Sequence, residues 1–109
     1  QMNKDDSELP KTYVAFSERF PELQQAHKQL GKALADAGPL DEKSRALVKL
    51  GVCVGAGRES ALKSHIRRSL ELGITREEIE HALVLGMNSI GFPATVAAWQ
   101  WAQEALSKE

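Results

Sequence analysis

At 109 residues, 42% hydrophobic and 27% charged, the chain has the length and composition of one globular domain rather than of a disordered or fibrous protein. A net charge of -1 gives no reason to expect nucleic acid or an anionic membrane as partner, and the single cysteine excludes an intrachain disulfide and any multi-cysteine zinc site. No apolar run approaches the roughly 18 residues of a membrane span and no signal-peptide pattern opens the chain, so cytoplasm is the expected location.

Gln1 ahead of Met2 reads as an expression remnant, and residues 1–9, polar and without periodicity, read as a flexible leader. Residues 10–109 then form a single helical domain. Leu9-Pro10 punctuates the start, and Tyr13, Val14, Phe16 and Phe20 predict one or two aromatic-rich helical turns. Pro21 suits the first position of a helix, where its missing N–H is no loss. Leu23, Ala26, Leu30, Ala33, Leu34 and Ala37 hold helical spacing up to the stop signal Gly38-Pro39. His27 beside this stripe reads as a surface residue.

Asp41 is a good N-cap for the next helix, with Glu42 in its first turn. From Leu50 to Ala56 that helix is apolar or glycine on every side, which predicts burial all round, with Gly51 and Gly55 admitting neighbouring helices. The stretch from Gly57 to Leu72, closed by Gly73, follows almost at once. Wound at 3.6 residues per turn, it places Ala61, Leu62, Ile66, Ser69, Leu70 and Leu72 on one broad face. Arg58 and His65 fall in the middle of that face, with Glu59 at its edge. Lys63, Ser64, Arg67, Arg68 and Glu71 fill the opposite side, which reads as solvated.

Thr75-Arg-Glu-Glu78 is a capping-box sequence, and the helix it starts runs to Gly91 with Ile79, Ala82, Leu83, Gly86, Met87 and Ile90 on one side. Val84 and Leu85 lie elsewhere on its circumference. Pro93 starts the last helix, to about Leu106, with Ala94, Ala98, Trp101, Ala102 and Ala105 in one stripe and Trp99 about 160° from Trp101. No segment alternates with period two. The fold class is therefore all-α, about five to six helices, and the surplus apolar surface predicts a homo-oligomer.

A guanidinium and an imidazole aimed into an apolar face need partners, structural or chemical. His65 is the leading candidate for proton transfer, its ordinary pKa lying near neutrality. The competing reading is a core histidine satisfied by a neighbour. Arg58 suits a carboxylate-bearing ligand, or equally an ion pair with Glu59 or with another subunit. Cys53 lies in the buried half of its helix with Lys49 four residues earlier, and a packing role is favoured over a reactive one. His81, with Glu77 at i−4, reads as a surface ion pair. His27, His65 and His81 have no metal-binding spacing, and no nucleotide-binding glycine loop is present, so neither metal nor cofactor is expected.

The run GRESALKSHIRRSLELGITREEIEHAL followed by GFPATVAAW resembles the carboxymuconolactone decarboxylase family, which includes the alkylhydroperoxidase-D-like proteins. The resemblance covers about Leu40 to Leu106 and implies an alkylhydroperoxidase-D-like helical bundle assembled as a trimer or hexamer. In the peroxidase branch two cysteines and a glutamate precede the histidine. Aligned on His65, the cysteine positions hold Arg58 and Ala61, the glutamate position holds Gly55, and a further acid falls at Ala46. The two-cysteine mechanism is thus unavailable.

The decarboxylase branch has a Gly-Arg-Glu-His turn, matched by Gly57, Arg58 and Glu59 but with Ser60 in the histidine's place. Asn88 to Pro93 also departs from its Tyr-x-Gly-x-Pro form. What the resemblance implies is a small carboxylated ligand, with His65 as catalytic acid/base and Arg58 and Glu59 binding substrate in a lyase- or isomerase-type reaction. A non-catalytic oligomeric or ligand-binding protein is the alternative, and peroxidase activity through Cys53 ranks last.

Overall fold

The computed structural model describes residues 4–108, with side chains from 11 to 108. Among the described residues there are seven helical segments and no strand, in keeping with the all-α expectation. They divide into two compact units, 1–40 and 41–109, where the sequence reads as one domain over 10–109.

The first unit is a helical pair, α1 (Lys4–Arg19) and α2 (Pro21–Asp36). α1 begins inside the segment expected as a leader and continues through Pro10, at the expected break. A proline's fixed φ is itself helical, so the helix can go on for the loss of one backbone hydrogen bond. The reversal at Phe20 is tied by its N–H to the Phe16 carbonyl at 2.8 Å, and the two rings meet with centroids 5.4 Å apart. The Arg19 guanidinium lies 4.5 Å over the Phe20 ring. Gln24 Nε2 donates to the Tyr13 hydroxyl. α2 starts at Pro21 as expected, yet it contains no buried residue, and Leu23, Leu30 and Leu34 are each more than half exposed.

The second unit contains α3 (Glu42–Ala56), α4 (Glu59–Glu71), α5 (Arg76–Val84), α6 (Met87–Ile90) and α7 (Phe92–Leu106). Its helix ends follow from local chemistry. Asp41 caps α3 by accepting the Ser44 N–H at 2.8 Å. Gly57 (φ 66°) closes α3, its N–H reaching Val54 O at 3.1 Å while the Arg58 N–H reaches Cys53 O at 3.0 Å. Gly73 (φ 88°) closes α4 in the same way, through Leu70 O and, from Ile74, Ser69 O. Both are left-handed termini that only glycine adopts without strain. Thr75 and Glu78 form the expected capping box, at 3.0 and 3.1 Å. The helix expected to run on to Gly91 breaks instead at Leu85-Gly86, where Gly86 (φ -91°, ψ 7°) leaves helical geometry and α6 restarts for one turn.

Four helices close into a ring: α3 packs on α4, α4 on α7, α7 on α5 and α5 on α3. Inside the ring lie Leu50, Cys53 and Val54 of α3, Leu62 and Ile66 of α4, Ile79 and Leu83 of α5, and Ala98, Ala102, Ala105 and Leu106 of α7. The alanine stripe lets α7 approach closely, with Trp101 packed at the edge of this core and Trp99 more exposed. Three seams of the ring carry polar latches. Lys43 meets Glu78 at 2.6 Å between α3 and α5, and Lys63 meets Glu104 at 2.7 Å between α4 and α7. Between α5 and α7, Arg76 donates to Gln103 at 2.8 Å and Gln103 to Glu80 at 3.0 Å.

The all-round burial expected for the second half of α3 is not found. Leu50, Cys53 and Val54 are inside, whereas Gly51, Val52, Gly55 and Ala56 are exposed, since the ring covers one side of α3 only. A Cβ at Gly51 or Gly55 would meet nothing within 4 Å. Lys63 departs from expectation the other way. Its side chain is only 23% exposed, because it bridges Glu59 and Glu104 rather than standing in solvent.

Candidate functional site

α4 is pinned at both ends by left-handed glycines, and its apolar residues Leu62 and Ile66 fix its rotation in the ring. That rotation carries His65 to the margin of the core, where it is half-buried. Its backbone carbonyl accepts the buried Ser69 hydroxyl at 2.8 Å, so Ser69 is satisfied within its own helix. Among the described residues the imidazole ring itself makes no hydrogen bond. Burial, then the positive charges of Arg68 and Lys49, hold the His65 pKa below its ordinary 6.5. The ring is therefore neutral near pH 7, with a free acceptor and a free donor.

The structure does not pair Arg58 with His65 electrostatically; the cations acting on the imidazole are Arg68 and Lys49. Arg58 stands at the N-cap of α4 (φ -100°, ψ 94°) without a side-chain capping bond and acts on the Cys53 thiol instead. No carboxylate pairs with Arg58 among the described residues. Its sequence neighbour Glu59 is engaged by Lys63 at 3.0 Å.

Cys53 faces the α3–α4 seam from inside, 6% exposed. Burial pushes its thiol pKa up from the ordinary 9.0, and Arg68 and Arg58 oppose that shift. Burial wins, as the sequence suggests, although the opposing cations are the two arginines rather than Lys49. Arg68 is thus the common electrostatic neighbour of Cys53 and His65. Its Nη2 donates to Ser64 Oγ at 3.0 Å.

Sequence reasoning misses Arg68 as a site residue, and it sets Lys49 beside Cys53 rather than His65. A signal was present for Arg68, which follows His65 by three positions, one helical turn; none was present for Lys49 with His65, which lie on different helices. Among the described residues Lys49, Arg58 and Arg68 all lack a carboxylate partner, while Glu78 is latched to Lys43, Glu59 and Glu104 to Lys63, and Glu80 to Arg76. The α3–α4 seam therefore carries cations in no ion pair among the described residues, beside a neutral, half-buried imidazole.

Other candidates fall away. His27 and His81 are exposed, and the ion pair expected between His81 and Glu77 is not formed among the described residues. No three of His, Cys, Asp and Glu in the described residues gather as around a metal ion. A shallow groove of about 330 Å³ along α1, lined by Lys11, Val14, Ala15 and Glu18, holds no proton-transfer group matched to a ligand. Among the described residues no helix is long and apolar enough to cross a membrane.

Comparison with known proteins bears on both fold and site. The carboxymuconolactone decarboxylase family model matches residues 21–104, from α2 into the last turn of α7. An uncharacterized protein of Methanocaldococcus jannaschii is 31% identical over 87 residues, 80% of this chain and 81% of that one. The 4-carboxymuconolactone decarboxylase of Acinetobacter baylyi is 32% identical over 67 residues, 62% of this chain, which spans 50% of that enzyme's length. In three dimensions the chain superposes with a TM-score of 0.79 on a carboxymuconolactone decarboxylase family protein from Legionella pneumophila, at 24% identity and over 94% of this chain and 90% of that one. At that identity the superposition speaks for the fold. With a family model spanning six of the seven helices among the described residues and a matching fold, the chain belongs to the carboxymuconolactone decarboxylase family.

Proposed function

We propose that this chain acts on a small carboxylated molecule in a lyase- or isomerase-type reaction, with His65 as general acid/base and Arg58 and Arg68 holding the carboxylate. The reading is supported by a half-buried imidazole that makes no hydrogen bond among the described residues and feels the charges of Arg68 and Lys49, with Arg58 acting on the neighbouring Cys53. Decarboxylation leaves an electron pair on carbon that must be stabilised and then protonated. Fixed positive charge stabilises the developing anion, and a positioned imidazole delivers the proton. Glu59, engaged by Lys63, steadies the first turn of α4 and does not touch the ligand in this scheme.

The test is turnover of 4-carboxymuconolactone and related unsaturated lactone acids by the purified chain. His65→Ala should lower kcat by about 10²–10⁴-fold, the usual worth of a proton-transfer group. Arg58→Ala should act mainly on KM. Unchanged turnover in His65→Ala would remove the histidine from the mechanism.

A second reading is a homo-oligomeric ligand-binding protein that has kept the site and lost the chemistry. Ser60, exposed on the first turn of α4, favours it, because the decarboxylase-like turn has a second histidine there. Carboxylate binding without turnover of any such lactone would select this reading. Peroxide chemistry through Cys53 stays third, because the thiol is buried and protonated near neutrality.

A further inference from the structure

Ser69 and Thr95 are the buried polar side chains among the described residues, 1% and 4% exposed. Each hydroxyl donates to the carbonyl four residues back at 2.8 Å, Ser69 Oγ to His65 O and Thr95 Oγ1 to Gly91 O. Neither carbonyl needs the second donor. Gly91 O already accepts the Thr95 N–H at 3.2 Å, and His65 O lies in α4, where helix geometry assigns it the Ser69 N–H. A hydroxyl folded back in this way slightly destabilises a helix, and alanine is the better helix former at such a position. At Thr95 the bond has a local use, since it ties the first turn of α7 to Gly91, whose φ of 95° lies outside the helix. At Ser69 no helix start is being built, and the residue that receives the bond is His65.

Ser69 is also where α4 is closed. Its carbonyl accepts the Leu72 N–H at 3.1 Å and the Ile74 N–H at 3.0 Å, the latter across the left-handed Gly73. One buried residue therefore grips the closing turn through its carbonyl and the His65 peptide through its hydroxyl. We propose that Ser69 is a positioning residue for His65, its hydroxyl holding the backbone from which the imidazole is presented at the margin of the core. Its bearing on catalysis rests on the reading of His65 as the proton-transfer group. The bond restrains the turn between residues 65 and 69, and with it the direction in which the His65 side chain leaves the helix. A displacement of about 1 Å at a reacting group can cost about 10²-fold in rate, so a restraint of little worth to the fold has its effect there.

Ser69→Ala and Thr95→Val, each in the full chain, test this. Both remove a buried hydroxyl bond, and both leave in place Arg68 and Lys49, which act on the imidazole, and the neutral Cys53 thiol of the same seam. The His65 Cε1–H signal is followed by NMR between about pH 5 and 8, with the exposed His27 and His81 as internal references. Ser69→Ala should keep its Tm within about 4 °C of the parent. It should raise the His65 midpoint by about 0.5 pH unit toward the ordinary value, because a less restrained ring is less buried. In the lactone assay it should lower kcat about tenfold with KM within about twofold. Thr95→Val should leave the midpoint and kcat at parental values. Ser69→Thr, whose hydroxyl can return to the same carbonyl, should stay near the parent in both. A His65 midpoint unmoved in Ser69→Ala overturns the inference and leaves the catalytic reading standing. Equal movement in Thr95→Val overturns it as a general effect of core hydroxyls, and equal loss in Ser69→Thr overturns it as a packing effect. The expected movement in a chain that turns over no lactone acid keeps Ser69 as the positioner of His65 and removes the catalytic reading instead.

Discussion

Cys53 is the residue where the family resemblance most invites a wrong mechanism. The positions that carry a reactive thiol pair in the peroxidase branch hold Arg58 and Ala61, and the one thiol present is sealed in the ring with its pKa raised. A serine hydroxyl there can bond the carbonyl one turn back, so Cys53→Ser should cost no more than about 1 kcal/mol. Fold and native activity should persist, as circular dichroism and the lactone assay would read. Peroxide turnover that vanishes only in Cys53→Ser would reverse the ranking. His65 makes a second prediction through stability. Its folded pKa is lowered, so between that value and 6.5 the unfolded chain holds more protons and stability falls as pH falls. The urea midpoint should show a step in this window that His65→Ala removes, separate from the later acid loss when Asp41, Glu78 and Glu104 protonate. A step of equal size in the variant would mean that another group titrates. At this scale the sequence offered candidate residues for chemistry, but not their company. Wheel geometry put Arg58 near His65, whereas the cations that act on the imidazole are Lys49 and Arg68, the latter exposed as expected.

Helices were more legible than neighbours, because their ends are written in short-range chemistry. Asp41, Gly57, Gly73, the Thr75–Glu78 box and Pro93 each act within a few residues of themselves, and each lies where the structure starts or stops an element. Thr75→Ala should cost about 1 kcal/mol and lower Tm by about 4–8 °C in a unit of this size. Calorimetry would read it, and an unchanged Tm would mean that the box is not formed in solution. What sequence periodicity could not supply was the break at Leu85-Gly86, since a glycine is tolerated in a helix as often as it interrupts one. Nor could it tell that α1 passes through Pro10. Periodicity also overstated burial in α3: an apolar circumference says that a helix wants cover, not that its own chain provides it.

That last distinction sets the scale of the whole molecule. Val48, Val52, Leu85 and Phe92 are each more than half exposed, and Gly51 and Gly55 have open space over them. Such a surface favours self-association, and the chain should sediment at micromolar concentration as a trimer or hexamer. Gly51→Leu, which meets nothing within the protomer, should preserve helicity while shifting the species toward monomer. A wild-type monomer with cooperative unfolding would show that the exposed apolar surface is not an interface. α2 has no buried residue at all, so little within the chain resists its local opening. If assembly covers it, susceptibility to proteases becomes a function of dilution. Trypsin would then cut after Lys28 and Lys32 in a dilute sample and spare them in a concentrated one, making the cell's own abundance of the protein a determinant of its lifetime.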